Sequence, residues 1–159
     1  MNITILCVGK LKEAFYKDAV SEYGKRLSRY ASFRITEVED EKTDEAASVK
    51  ETVLIKAREG ERLLKQIPEK AYVIALAIEG KAYDSVELAG RLEMLMNTGR
   101  SDLVFVIGGS LGLSEQVMQR ADEKWSFSRL TFPHQLMRVI LSEQLYRSFR
   151  IIHHEPYHK

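Results

Sequence analysis

Short, continuous runs of apolar residues alternate along this chain with longer segments of helical periodicity. The apolar runs at residues 3–8, 71–78 and 103–107 predict strands, and shorter strands are predicted at 33–39 and 125–128. The three long runs contain no regular polar alternation. They therefore indicate strands that are covered on both faces, as in a parallel sheet.

Apolar residues at spacings of three and four predict helices between and after these strands. The predicted helices cover residues 12–30, 49–66, 85–97, a short segment from Ser114 and residues 133–152. Asp84-Ser85 provides a helix cap, and Pro133 is typical of a first helical turn. The alternation of strand and helix predicts an α/β fold with a mainly parallel sheet flanked by helices, in a single domain of residues 1–159.

The last predicted helix is apolar around most of its circumference, which indicates burial on more than one side. A second copy of the protein could supply the second covering surface. Glu143, Arg147 and Arg150 are polar exceptions that share an arc of about 60°. Glu143 and Arg147 are four residues apart, so this arc fits either an intrahelical ion pair or a ligand site.

Composition and charge narrow the functional classes. The chain has 159 residues, 45% hydrophobic and 30% charged, with no apolar run long enough to span a bilayer and no signal peptide pattern. The lone Cys7 excludes a disulfide framework and predicts a buried thiol in a reducing, cytoplasmic setting.

Residues 124–159 hold six basic and two acidic residues, a net charge of +4, which leaves −3 for the remainder. This fits a local anion site or arginines paired with neighbouring carboxylates.

All four histidines lie in the last 26 residues, so any proton transfer by imidazole is expected there. His134 follows Pro133 at a helix start, where the positive end of the dipole disfavours imidazolium. It fits a neutral general base or a satisfied core histidine. His153, His154 and His158 do not predict a metal site, because adjacent histidines near a terminus seldom provide a firm ligand geometry.

The glycine-rich segment 108–112 follows a buried strand and would let a ligand approach the backbone closely. Its spacing matches neither the dinucleotide fingerprint nor a phosphate loop, and a tight turn without a ligand is an equal alternative. In open α/β sheets, ligands favour the carboxyl ends of strands. The strand ends at residues 78–80 and 107–109 are therefore predicted to share one crevice.

Longer motifs resemble those of the RlmH family, bacterial α/β-knot (SPOUT-class) methyltransferases that modify N3 of a pseudouridine in large-subunit ribosomal RNA. The matching segments read FVIGGSLGL from residue 105, SFS from 126, LTFPHQLMR from 130, EQLYR from 143 and PYH from 156, with VGKLKE from 8 and DEK from 40. The resemblance covers essentially the whole chain. One difference is that family members often carry an Arg-Gly pair where this chain has His153-His154.

The resemblance implies S-adenosylmethionine as methyl donor, a trefoil knot in the carboxy-terminal part, a homodimer, and ribosomal RNA of the large subunit or assembled ribosome as partner, with no membrane and no metal. The implied donor-binding residues are Leu76, Gly108, Gly109, Phe127, Ser128, Arg129, Leu130, Thr131 and Phe132.

The resemblance also implies functional roles for His134, Arg147, Tyr157 and His158, to which the helical arc adds Arg150. The two histidines are candidate bases. The two arginines are candidate stabilisers of an anionic ring or phosphate contacts, and Tyr157 is a candidate to stack on or hydrogen-bond the target base.

We therefore expect the glycine turn, residues 127–132 and the carboxy-terminal arginine–histidine cluster to converge on one methyl donor in a paired molecule. Two other classes remain open. One is an RNA-binding or ribosome-associated module without catalysis, and the other is a nucleotide-binding α/β protein that uses residues 108–112 for phosphate. Neither accounts for the combination of Pro-His-Gln, Tyr-Arg and Pro-Tyr-His.

Overall fold

The computed structural model describes residues 1–159 and contains five strands and five helices. In chain order these are β1 (Asn2–Val8), α1 (Ala14–Leu27), β2 (Ser32–Val38), α2 (Val49–Gln66), β3 (Tyr72–Ala82), α3 (Ser85–Asn97), β4 (Asp102–Ile107), α4 (Glu115–Arg120), β5 (Glu123–Ser126) and α5 (His134–Ile152). Both α2 and α3 begin at capping boxes, formed by Ser48 with Glu51 and by Asp84 with Glu87. The predicted α/β alternation is confirmed.

All five strands are parallel, in the order β2-β1-β4-β3-β5. Helices α1, α3 and α5 pack together on one face of the sheet, and α2 and α4 pack on the other. Strand β1 shows why the sheet is apolar on both faces: Ile3 and Ile5 enter the core beneath α5, whereas Leu6 and Val8 enter the core beneath α2. Cys7 is fully buried, as predicted.

Strands β3 and β5 differ from the predicted boundaries. β3 continues to Ala82, beyond its apolar run, because Lys81 and Ala82 pair with β5 after an irregularity that begins at Leu76. β5 begins at Glu123, two residues earlier than predicted. The irregularity frees residues 77–80 from regular pairing with β5, beside the end of β4.

One side of α5 is buried in the core of a single chain and the other side is less covered. The buried residues are Arg138, Leu141, Ser142, Leu145, Ser148 and Phe149. Leu136, Val139 and Ile140 are only half-buried, and they form a stripe along the opposite side. None of the helices is both long enough and apolar enough to cross a membrane.

Candidate active site

A cavity of about 750 Å³ lies at the carboxyl ends of β3 and β4. Three segments form most of its wall: residues 76–79 of β3, directly after its pairing with β4, residues 107–113 at and after the end of β4, and residues 127–134 leading into α5. The predicted crevice between residues 78–80 and 107–109 is therefore present. Parallel strands create it by ending side by side, which leaves their loops to enclose the space above the sheet edge.

Most of the residues expected to hold the methyl donor line this cavity. They are Leu76, Gly108, Gly109, Phe127, Ser128, Leu130, Thr131 and Phe132. Arg129 belongs to the same segment, but it is exposed and is not part of the cavity wall.

The glycine turn is closed on itself and leaves little room for side chains. A Cβ atom on Gly108 would lie 2.7 Å from the carbonyl carbon of Gly112, and Gly112 has a φ of 87°. A non-glycine residue at either position would force the turn to move or strain it. The turn therefore presents backbone, rather than side chains, to the cavity.

His134 is the first residue of α5 and lines the cavity. Its Nδ1 atom is buried and has no hydrogen-bond partner. Burial lowers the pKa of His134 and the nearby Arg138 lowers it further, whereas Asp40 acts in the opposite direction. The imidazole is consequently neutral at pH 7 and able to accept a proton, as a general base requires.

Arg138 lies one helical turn after His134 and anchors the start of α5. Its guanidinium is fully buried and donates to Glu37 at 2.6 Å and to the backbone carbonyls of Val8 and Gly9 at 3.1 and 2.7 Å. The start of α5 is thereby joined to the end of β1. Sequence reasoning did not identify this role, because an arginine in a basic segment gives no signal of complete burial.

A second cluster, made of charged and aromatic side chains, surrounds the carboxyl end of α5. Arg147 pairs with Glu143 at 2.5 Å, which confirms the intrahelical ion pair, and lies 3.2 Å from Nδ1 of His158. The Tyr157 hydroxyl donates to Glu143 at 2.9 Å, and its ring lies beneath the Arg147 guanidinium. Burial and the hydrogen bond to Glu143 raise the pKa of Tyr157 to about 12, so Tyr157 is a donor and not a base at neutral pH.

Arg150 makes contacts within the protein as well. It donates to Glu155 and to the Tyr30 hydroxyl, and also to the Pro156 carbonyl at 2.7 Å. The contact with the Tyr30 hydroxyl and the neighbouring Glu155 raise the pKa of Arg150, so its charge is firmly held. The helical arc predicted that Arg150 would lie beside Arg147, but it did not predict Tyr30 as a partner.

The cavity and this second cluster lie at opposite ends of α5. His134 and Arg147 are 13 residues apart in one straight element, a separation of about 20 Å along the helix axis. His134 lies beside Gly9 at the carboxyl end of β1, where a Cβ atom on Gly9 would be 3.6 Å from its ring, whereas Tyr30 lies two residues before β2. A single chain therefore brings His134 together with the segments that are expected to bind the methyl donor, but not with Arg147, Arg150, Tyr157 or His158.

Two further charged residues near the cavity carried no signal in the sequence. Lys56 of α2 lines the cavity. Glu59 is buried beneath the glycine turn, where its carboxylate would lie 3.3 Å from a Cβ atom on Gly109, and it accepts a hydrogen bond from the Glu41 amide at 3.0 Å. Burial raises the pKa of Glu59. Both residues lie in α2, an amphipathic helix, where charged side chains are common and do not by themselves indicate a functional site.

The cavity fits the methyl donor that the sequence suggests. Its volume lies within the range of small-molecule sites, and its wall is mainly apolar with the peptide groups of the glycine turn exposed to it. Such a wall can pack against an adenine ring and leave the turn to hydrogen-bond polar ligand atoms. The single neutral imidazole at the wall supplies a proton acceptor.

Comparisons with known proteins are consistent with this geometry. A family model described as "Predicted SPOUT methyltransferase" matches residues 1–158. Proteins named "Ribosomal RNA large subunit methyltransferase H" from Bacillus pumilus (strain SAFR-032) and Clostridium botulinum (strain Langeland / NCTC 10281 / Type F) are 58% and 57% identical over 159 residues, and the matches cover 100% of this chain and of each relative.

Two solved structures share the fold. A probable methylase family protein from Haemophilus influenzae Rd KW20 has a TM-score of 0.55 at 12% identity and covers 99% of this chain and 70% of its own. A probable methyltransferase from Bordetella pertussis Tohama I has the same score and identity and covers 92% of this chain and 95% of its own. At such low identity the likeness concerns the fold alone.

Proposed function

The chain belongs to the SPOUT methyltransferase family, and within it to the RlmH family; on this premise we propose that it uses S-adenosylmethionine to methylate N3 of a pseudouridine in large-subunit ribosomal RNA. It is a methyltransferase. The observation that carries the finer proposal is the cavity at the carboxyl ends of β3 and β4, where the donor-binding segments and the neutral His134 share one wall. The names of the relatives support ribosomal RNA as substrate.

The residues at the cavity suit the chemistry of this reaction. When bound, S-adenosylmethionine supplies a methyl group that is already strongly electrophilic. The chain must therefore mainly orient the reactants, and must help the imino nitrogen of the uracil-type ring lose its proton. His134 is neutral and half-buried, so it can accept this proton. His158 is the second candidate base.

We further propose that the active enzyme is a homodimer in which the tail of one subunit approaches the cavity of the other. The separation of about 20 Å between His134 and Arg147 prevents one subunit from assembling all the proposed residues. The half-buried stripe of Leu136, Val139 and Ile140 runs along α5 toward Glu143. A two-fold partner packed on this stripe would bring α5 of each subunit beside the other.

The direct test is methyl transfer to a defined substrate. Ribosomal subunits or ribosomes from a strain that lacks this enzyme are incubated with the purified protein and S-adenosylmethionine, and the RNA is digested for mass analysis. We expect one fragment containing pseudouridine to gain one methyl group. Methylation of a uridine, of a different ring position or of no nucleotide would contradict the proposal.

The proton acceptor is tested separately with His134→Ala and His158→Ala. Their pH–rate profiles are compared with that of the unmodified enzyme at saturating donor. Loss of the acidic limb in one variant assigns the base to that histidine. Unchanged rates in both variants would remove histidine from this role.

A further inference from the structure

We propose that Tyr30 and Glu155 are positioning residues that set the orientation of Tyr157 and His158 for the reaction. This inference rests on the proposed function, because it assumes that the last residues act on the substrate. Neither residue belongs to the segments expected to bind the donor or the target base. Both act through the C-terminal tail, which we define as residues 153–159.

The tail leaves α5 through a hydrogen-bonded turn. The His154 amide donates to the Ile151 carbonyl at 3.0 Å and the Glu155 amide donates to the Arg150 carbonyl at 2.8 Å, the two bonds of a Schellman motif. His154 has a φ of 53°, in the left-handed region that this motif requires. The turn directs the tail back along α5.

Glu155 anchors the first part of the tail. Its carboxylate accepts hydrogen bonds from Tyr30 and Arg150, and from Arg29 at 3.3 Å. The Tyr30 hydroxyl and Arg150 lower the pKa of Glu155, so the carboxylate is ionised at neutral pH. Arg150 also donates to the Pro156 carbonyl at 2.7 Å, which fixes the backbone directly before Tyr157.

Tyr30 is a rigid support for this anchor. Its ring stacks on Phe149 with centroids 5.3 Å apart and an interplanar angle of 3°, and on His153 at 5.2 Å. Phe149 is buried in the core, so the Tyr30 ring is fixed with respect to the sheet. The hydroxyl therefore holds Glu155 at a place that the fold determines.

Apart from the contacts of Glu155, the tail makes few contacts with the rest of the chain. Pro156, His158 and Lys159 are exposed, and only Tyr157 is half-buried. Chain ends with so little apolar burial fray unless polar contacts hold them. Without Glu155, the bonds from Tyr157 and His158 to Glu143 and Arg147, the Pro156 bond and the packing of the Tyr157 ring on Tyr146 and Arg147 would remain to oppose this fraying.

The same contacts assign a role to Arg150. Its guanidinium is shared between Glu155, the Tyr30 hydroxyl and the Pro156 carbonyl, so its charge and donors are directed at the tail. It is therefore a positioning residue in this arrangement and not a phosphate contact. Arg147, which lies beside His158, remains the arginine proposed to act on the substrate.

The test compares Glu155→Gln and Tyr30→Phe with the unmodified enzyme. Tyr30→Phe keeps the stacked ring and removes only the hydroxyl. We expect kcat to fall about tenfold or more in both, because a small misplacement of reacting groups reduces rates by such factors. The dissociation constant of S-adenosylmethionine, measured by calorimetry, is expected to stay unchanged, since neither Tyr30 nor Glu155 lines the cavity.

Glu61→Gln is the matched control, since Glu61 forms an exposed ion pair with Lys65 on α2, on the opposite face of the sheet from α5 and the tail. It should leave kcat unchanged. Backbone order parameters of Tyr157 and His158 provide a readout that does not depend on activity, and they should fall below about 0.6 in Glu155→Gln. Partial recovery of kcat in Glu155→Asp is expected, because it keeps the charge.

Normal kcat in Glu155→Gln and Tyr30→Phe would overturn the inference, as would unchanged order parameters. A lower donor affinity with normal kcat would also overturn it. Failure of the proposed function is distinguishable, because the unmodified enzyme would then transfer no methyl group while the order parameters still show whether Glu155 holds the tail.

Discussion

At the scale of single residues, the charge state of His134 is decided by its burial and by two charged neighbours, Arg138 and Asp40. Burial and Arg138 lower its pKa, and Asp40, which follows β2, raises it. Since the folded pKa is below the usual 6.5, folding favours the neutral ring. This contribution to stability is complete above pH 6.5 and is lost as the pH falls through the folded pKa.

Asp40→Asn removes the only group that raises the pKa of His134. We expect the acidic limb of the pH–rate profile to move to lower pH, because the imidazole then stays neutral further into the acid range. The ring signals of His134 in an NMR titration should move in the same direction. Asp18→Asn, an exposed change on α1, is the control. A shift to higher pH would contradict the assignment.

The buried guanidinium of Arg138 makes a different prediction, about stability. Arg138→Met leaves Glu37 and two backbone carbonyls without their donor. We expect the free energy of unfolding in urea to fall by about 1–3 kcal/mol, the cost of leaving buried acceptors without their donor, since the partly exposed Glu37 can be solvated by water. Lys65→Met removes an exposed pair with Glu61 and should cause no measurable change. Equal stability of the two variants would show that the Arg138 contacts contribute little.

At the scale of elements, the loops after the parallel strands determine binding. Gly108→Ala would place a Cβ atom 2.7 Å from backbone atoms of Gly112, so the turn must open. We expect the affinity for S-adenosylmethionine to fall at least tenfold in calorimetry, about 1.4 kcal/mol. Gly90→Ala on α3 has no atom within 4 Å of the added carbon and should leave binding unchanged. An unaffected Gly108→Ala would remove the turn from the donor site.

The end of α5 carries a strain that can be relieved. His154 adopts a φ of 53°, which costs a non-glycine residue roughly 1–2 kcal/mol, whereas glycine loses roughly 0.5–1 kcal/mol of chain entropy. We expect His154→Gly to raise stability by about 0.5 kcal/mol, a gain of about 1–2 °C in Tm by calorimetry. His153→Gly, which removes the stacking on Tyr30, should lower Tm. A lower Tm in His154→Gly would show that its side chain stabilises the turn.

At the scale of the whole molecule, the question is how two sites at opposite ends of α5 serve one reaction. If the tail of each subunit completes the cavity of its partner, each site combines His134 of one subunit with His158 of the other. A mixed dimer of one His134→Ala and one His158→Ala subunit then contains one site with both histidines and one site with neither. We expect equal mixtures of the two inactive variants, exchanged through mild denaturation, to recover about a quarter of full activity. Analytical ultracentrifugation should show dimers throughout. No recovery, or monomers in solution, would place the complete site within one chain.

The sequence by itself determined the α/β alternation, the two-faced core and the crevice between residues 78–80 and the glycine turn, because periodicity and strand ends are local properties. The expectation that residues 127–132 line the same crevice came from the family resemblance. It also placed Glu143, Arg147 and Arg150 on one helical arc. The length of β3 was less predictable, since Lys81 and Ala82 are held by pairing with the edge strand β5 and not by an apolar pattern of their own. The knot and the dimer stay predictions.

Only the tertiary structure decided which ionisable residues lie next to one another. The partners of Arg138, of His134 and of Glu155 are 101, 94 and 125 residues away along the chain at Glu37, Asp40 and Tyr30. Such contacts cannot be predicted from a local sequence pattern, because the sequence around a charged residue does not show whether its side chain is solvated by water or paired with a distant carboxylate. Packing of α5 across the sheet made these pairs, and with them the separation of the cavity from the tail.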